Sequence, residues 1–128
     1  MIYLCNGLSE SMKRDPNMKN VPYPLTEDEF TEIIHNTEFT SVIGHRDLSE
    51  CLSEITGKEI PYNRRGILLN YDDYVLLTSL SGRLPEHPRE IEIRNRLNFS
   101  FIRFQKQTAE DLLETQQIIE EITNIGEI

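Results

Sequence analysis

The stretch Tyr74-Val75-Leu76-Leu77-Thr78-Ser79-Leu80-Ser81 decides the fold. Its apolar run is too short for a buried helix and ends in small polar residues, which reads as a core strand. Just before it, Tyr71-Asp72-Asp73 reads as a turn, and Arg64 to Asn70, carrying Ile67, Leu68 and Leu69, reads as the first arm of a hairpin. After it comes a polar excursion over residues 82–97 with Arg83, Glu86, His87, Arg89, Arg94 and Arg96 and room for a short helix between Pro88 and Leu97. Asn98 to Phe104 then alternates polar residues with Phe99, Phe101 or Ile102, and Phe104, as a closing strand would.

The first half adds strands and two capped helices. Ile2 to Cys5 is a short apolar strand punctuated by Asn6-Gly7, and Ser9 to Arg14 can start a helix that Pro16 stops. Residues 19–25 are extended around Val21 and Tyr23, and Pro22 with Pro24 assigns them to an edge. Thr26 and Glu29 form a capping-box pattern with Leu25 and Phe30 as the staple, so a helix runs to about His35 on a face of Phe30, Ile33 and Ile34. Phe39 to Ile43 is another strand. Asp47, with Glu50 in the reciprocal position, caps a helix whose stripe is Leu48, Cys51, Leu52 and Ile55 and whose end is Gly57. Beyond Lys106, Thr108 can cap a last helix through about Ile122, with Leu112, Leu113, Ile118, Ile119, Ile122 and Ile125 along one side. The expected fold is one α/β domain over residues 1–106, with a mixed, largely antiparallel sheet of about five strands flanked by helices, and an acidic C-terminal helical extension over 107–128.

At 128 residues the chain fits one domain, and 38% hydrophobic with 27% charged residues is a globular composition. No transmembrane run or signal-peptide pattern is visible, so a cytoplasmic location is expected and no membrane partner. Cys5 and Cys51 each sit on an apolar pattern and are read as buried free thiols. Together with His35, His45 and His87 they give no zinc spacing, and neither a metal nor a cofactor is called for. The formal charge of −9 argues against long nucleic acid, whose binding depends on extensive phosphate neutralisation. Six of those charges fall after Lys106, where Lys and Arg are absent, so the rest of the chain is left at −3 and can form a locally basic pocket.

Short polar clusters flank the strands. They are Asn6-Gly7-Leu8-Ser9, Gly44-His45 ahead of a helix, Asn63-Arg64, and Arg83-Leu84-Pro85-Glu86. A phosphate at the helix that follows His45 would gain backbone donors and a favourable dipole, and a histidine can pass a proton near neutrality. Arg64 or Arg83 can grip a phosphate bidentately, and Asn6, Ser9 and Ser11 can donate to phosphate or sugar oxygens. Taken alone, His45 reads more readily as a structural histidine, and the arginines as exposed ion pairs or the small polar residues as loop caps about as readily as ligand contacts. The combination suits a phosphodiester better than a metal.

Four pieces of residues 2–104 resemble the small viral ring nucleases that act as anti-CRISPR proteins against type III immunity: Ile2-Tyr3-Leu4-Cys5-Asn6-Gly7-Leu8-Ser9, Ser41-Val42-Ile43-Gly44-His45, Tyr62-Asn63-Arg64, and Ser79-Leu80-Ser81-Gly82-Arg83-Leu84-Pro85-Glu86. The resemblance implies a homodimer whose two-fold cleft binds cyclic tetra-adenylate and cleaves it, without metal, to linear di-adenylate ending in 2′,3′-cyclic phosphate. It assigns His45, Arg83 and Glu86 to catalysis and Asn6, Ser9, Ser11 and Arg64 to ligand binding. Ser11 stands where family members can carry Asn. The segment from Glu86 to Asn98 departs from the family's Gly/Lys-rich continuation, and the acidic helix after residue 106 is additional. Two other readings are a cyclic oligoadenylate-binding protein that does not cleave, and a viral protein-interaction module that uses the sheet or the C-terminal helix.

Overall fold

The computed structural model describes residues 1–107 and 109–125. Five strands, β1 (Ile2–Cys5), β2 (Met18–Leu25), β3 (Thr40–Ser41), β4 (Tyr74–Leu80) and β5 (Leu97–Lys106), form one mixed sheet in the order β2-β5-β4-β1-β3. The two long ladders, β2 with β5 and β4 with β5, are antiparallel, and β1 runs parallel to both β4 and β3. The helices are α1 (Glu27–Asn36), α2 (Arg46–Thr56), α3 (Glu90–Arg94) and α4 (Ala109–Ile125), with a 3-10 turn over Glu10–Met12. The single α/β domain with a largely antiparallel five-strand sheet and a C-terminal helix is as expected.

One strand is not. Residues 64–70 form no hairpin arm with β4, because both edges of β4 are already taken, by β5 on one side and β1 on the other. The apolar residues of that segment go elsewhere: Leu69 is buried and pairs singly with Lys13, Ile67 packs beside it, and Leu68 stays exposed. The fifth strand is β2, whose Pro22 and Pro24 lie opposite Ile102 and Ser100 on the sheet edge, where a missing N–H costs no ladder bond. At the other edge, β3 is only two residues long, which keeps that edge short.

Strand alternation divides the core between the two faces of the sheet. On the helical face, Leu4, Leu76 and Phe99 meet Phe30 and Ile34 of α1, Leu48, Cys51 and Leu52 of α2, and Ile93 of α3. Phe30 is fully buried and stacks on Phe99, with ring centroids 4.4 Å apart. On the other face, Cys5, Val75, Ile102 and Phe104 are covered by Met18, Leu69, Leu8 and Met12. Burying a side chain of this size contributes about 1.5–3 kcal/mol, so both layers are needed to hold the strand ends in place.

The capping box of α1 forms as read: Thr26 Oγ1 accepts from the Glu29 amide at 3.1 Å, and Glu29 Oε1 accepts from the Thr26 amide at 3.0 Å. For α2 the start differs. His45 occupies the cap position without a side-chain cap bond, and Asp47, expected as the cap with Glu50 reciprocal, sits inside the first turn, where its charge favours the helix dipole. Gly57 ends α2 in the left-handed region at φ 70°, as its position suggested. Thr108, the expected cap of α4, lies outside the described residues, as do the side chains of Leu112 and Ile125.

Candidate functional site

Because β1, β3 and β4 are parallel, the loops that follow them emerge at one end of the sheet. That end of an open α/β sheet, beyond the carboxyl ends of its strands, is where such sheets bind ligands. Asn6–Ser9 follows β1, Gly44-His45 follows β3, and Arg83 to Glu86 follows β4. The segment with Arg64 joins them through a bridge between Ile43 and Tyr62.

Specific bonds tie these loops together. The Leu4 carbonyl accepts from the Val42 amide at 2.9 Å, and Asn6 Oδ1 accepts from the Gly44 amide at 3.1 Å, so the β1 loop is pinned to the residue before His45. Asn63 is held by its amide on the Ile43 carbonyl at 2.9 Å and by its side-chain Nδ2 on the Ser41 carbonyl at 2.9 Å. The Arg64 stem then passes over Gly44: a Cβ placed at 44 would lie 3.4 Å from Arg64 Cγ. That is ordinary van der Waals contact, and the φ of Gly44 is not in the left-handed region. Ser9 and Ser11 share a hydroxyl hydrogen bond of 3.0 Å in the β1 loop.

The result is a cavity of about 650 Å³ lined by Cys5, Asn6, Gly7, Ser9, Met12, Val42, Gly44, His45, Arg64 and Arg65. The sequence-read residues Asn6, Ser9, His45 and Arg64 come together in it. Ser11 is one hydrogen bond behind Ser9 and does not line it. Arg83 and Glu86 are exposed on the loop after β4, outside the lining, and the Arg83 carbonyl accepts from the Arg96 guanidinium. Sequence reasoning missed Arg65, whose only signal was adjacency to Arg64 in a segment read as a strand, where neighbouring side chains would point to opposite faces.

The chemistry of the lining is polar and cationic. His45 and the two arginines are the ionisable groups beside one thiol, with no carboxylate among the lining residues. Burial pushes the Cys5 thiol up to about 12, so it is protonated at ordinary pH and is no nucleophile. His45 stands at the N-terminus of the eleven-residue α2, where amide donors and the helix dipole favour an anion. A cavity of about 710 Å³ on the helical face, lined by Asp47, Glu50, Glu54, Glu59 and Glu90 with Lys58, is larger. Its carboxylates make it the wrong site for a phosphate. Among the described residues no group of three or more His, Cys, Asp or Glu side chains could hold a metal ion, and no helix is long and apolar enough to cross a membrane.

The fold and pocket thus define an α/β domain with a cationic cleft at the carboxyl ends of its parallel strands. By sequence, the chain belongs to the STIV B116-like family, whose model matches residues 2–101. It is 33% identical over 86 residues to the uncharacterized protein 26 of Sulfolobus islandicus filamentous virus, covering 67% of this chain and 73% of that protein. It is also 33% identical over 88 residues to the uncharacterized protein ORF117 of Acidianus two-tailed virus, covering 67% of this chain and 74% of the other. Among solved structures, B116 of Sulfolobus turreted icosahedral virus superposes with a TM-score of 0.67 at 20% identity, covering 79% of this chain and 97% of that one, which establishes a shared fold. The chain is therefore a relative of viral proteins.

Proposed function

We propose that the cavity between Asn6, Ser9, His45 and Arg64 binds cyclic tetra-adenylate and that the protein cleaves it, as a homodimer and without metal, to linear di-adenylate ending in 2′,3′-cyclic phosphate, so suppressing type III CRISPR signalling. The observation that carries this reading is the meeting of a histidine at a helix N-terminus with Arg64 and Arg65 and with the Asn6 loop in one cavity that has no carboxylate in its lining.

In this mechanism the ribose 2′-hydroxyl attacks the adjacent phosphorus, its proton passes to water, and the bond to the 5′-oxygen breaks. Because nucleophile and phosphate belong to the same nucleotide, the protein's task is alignment and charge stabilisation. His45 donates the proton that the leaving 5′-oxygen takes up, which typically contributes about 10²–10⁴-fold. Arg64 holds a neighbouring phosphate or base. Arg83 neutralises the charge that develops on the reacting phosphate, and Glu86, screened by Arg83, orients the 2′-hydroxyl or a donor. Both sit on a loop at the same sheet end but outside the cavity, so in this reading the loop moves toward the ligand when it binds. Two protomers related by a two-fold axis present two such sites to a two-fold-symmetric ring.

The test is incubation of the purified protein with cyclic tetra-adenylate in excess chelator, with products identified by mass. Linear di-adenylate carrying a cyclic phosphate is the expected product. Intact substrate after prolonged incubation, or cleavage restored only by one added divalent ion, would reject the mechanism. Light scattering should show a dimer, and a monomer both with and without the ring would reject the two-fold cleft. A second reading, binding without cleavage, is favoured by the position of Arg83 and Glu86 outside the cavity, and tight binding with no product would select it.

A further inference from the structure

The C-terminal helix presents a surface that the domain does not use. Ile118, Ile119 and Ile122 of α4 are 54%, 58% and 67% exposed, and Leu113 is 59% exposed. Ile118, Ile119 and Ile122 fall on one side of the helix, Leu113 lies half a turn away from Ile122, and Glu110, Glu114 and Glu121 cluster along one flank of the isoleucine face. Among the described residues α4 is not packed along the sheet or along α1, α2 or α3. The family match ends at residue 101, within β5, and α4 begins beyond it at Ala109. A single helix of about this length is marginal in water unless its apolar face is covered.

Charge decides what covers it. Six carboxylates, Glu110, Asp111, Glu114, Glu120, Glu121 and Glu127, follow Lys106, and no Lys or Arg does. A second copy of the helix would bring an equally acidic segment with no Lys or Arg against this one, where paired helices ordinarily place opposite charges beside the apolar seam. No basic residue stands in the last turn either, so the negative end of the helix dipole also lacks a cation. We propose that α4 is a docking helix for a partner protein that offers an apolar groove flanked by lysine and arginine side chains. The apolar face supplies the affinity, and the carboxylates supply orientation, on-rate and rejection of acidic surfaces. The proposal is independent of the nuclease reading, because no α4 residue lines the cavity.

The experiment titrates the full chain with two labelled synthetic peptides, each built of isoleucine and leucine heptads, one with lysine and the other with glutamate at the flanking positions. Binding is followed by fluorescence anisotropy at several salt concentrations. The lysine peptide should bind, more weakly as salt rises, and the glutamate peptide should not. Ile119→Glu combined with Ile122→Glu should weaken binding by about tenfold or more while leaving the melting temperature unchanged, since both side chains are exposed. Glu114→Gln with Glu121→Gln should keep some affinity and flatten its salt dependence. Equal binding of both peptides, no binding of either, or binding that survives Ile119→Glu/Ile122→Glu would each overturn the proposal. So would self-association in sedimentation that disappears in that double variant, which would make a second copy the occupant.

Discussion

Asn6 carries a test in which stability and ligand affinity respond in opposite orders. Its side-chain oxygen accepts the Gly44 amide at 3.1 Å, and the residue lies at the rim of the cavity beside His45 and Arg64. Asn6→Ala removes that bond. Because the site is exposed, water replaces part of what is lost, and the expected cost is about 1 kcal/mol. Asn6→Asp keeps an acceptor of the same shape at the same place, so the tether and the stability stay near those of the parent protein. It also places a negative charge in a cavity whose lining holds Arg64 and Arg65 and no carboxylate. Against a phosphate about 6 Å away, at the effective dielectric of a protein surface, that charge repels by about 1–3 kcal/mol, which is roughly ten- to a hundredfold in affinity. Urea denaturation should therefore rank the parent and Asn6→Asp together above Asn6→Ala. Isothermal titration with cyclic tetra-adenylate should place Asn6→Asp last, with its deficit growing at low salt. Affinity for the ring in Asn6→Asp equal to that of the parent protein would show that the cavity is not where the phosphates bind, whatever the stabilities.

His45→Ala should retain most ligand affinity and lose turnover by about 10²–10⁴-fold in single-turnover assays, whereas Arg83→Ala should impair binding and cleavage together; wild-type cleavage by His45→Ala would remove that residue from the mechanism. Phe30→Ala deletes a fully buried ring stacked on Phe99 and should cost about 3–5 kcal/mol by urea denaturation, and a loss below about 1 kcal/mol would contradict the packing described for the helical face. Burial raises the thiols from 9.0 to about 12 at Cys5 and about 11 at Cys51, so the folded state holds both protons more firmly than the unfolded chain. Their contribution is complete below pH 9.0 and is lost as pH climbs toward those values, with a slope approaching about 1.4 kcal/mol per pH unit for each thiol. Denaturation from pH 7 to 10 should show this decline, weakened in Cys5→Ala/Cys51→Ala, and equal slopes in the two proteins would reject the assignment.

Local chemistry was enough to place several elements from the sequence alone. The Thr26/Glu29 box, Gly57 and the apolar run Ile2–Cys5 act within a few residues of chain, and their bonds form where the pattern puts them. The edge position of residues 19–25 was legible for the same reason, since a proline removes its own N–H whatever the rest of the fold does. Asn6, Ser9, His45 and Arg64 stood out because they belong to short polar clusters that flank strands, and strand ends are where a sheet offers a cleft. Pairing was beyond its reach. Ile67-Leu68-Leu69 has the composition of a strand, and only the occupation of both β4 edges by β1 and β5 keeps it out of the sheet. The same rearrangement leaves Arg64 and Arg65 both on the cavity, a combination that strand alternation had disallowed. Likewise, Arg83 and Glu86 lie outside the lining, on a loop whose Arg83 carbonyl accepts from the Arg96 guanidinium, a contact between separate chain segments that no spacing in the sequence encodes. Apolar pattern and capping chemistry act over one or two turns of chain, and they determined the elements; competition for a limited number of strand edges acts between distant segments, and it decided which elements meet and which side chains share the cavity.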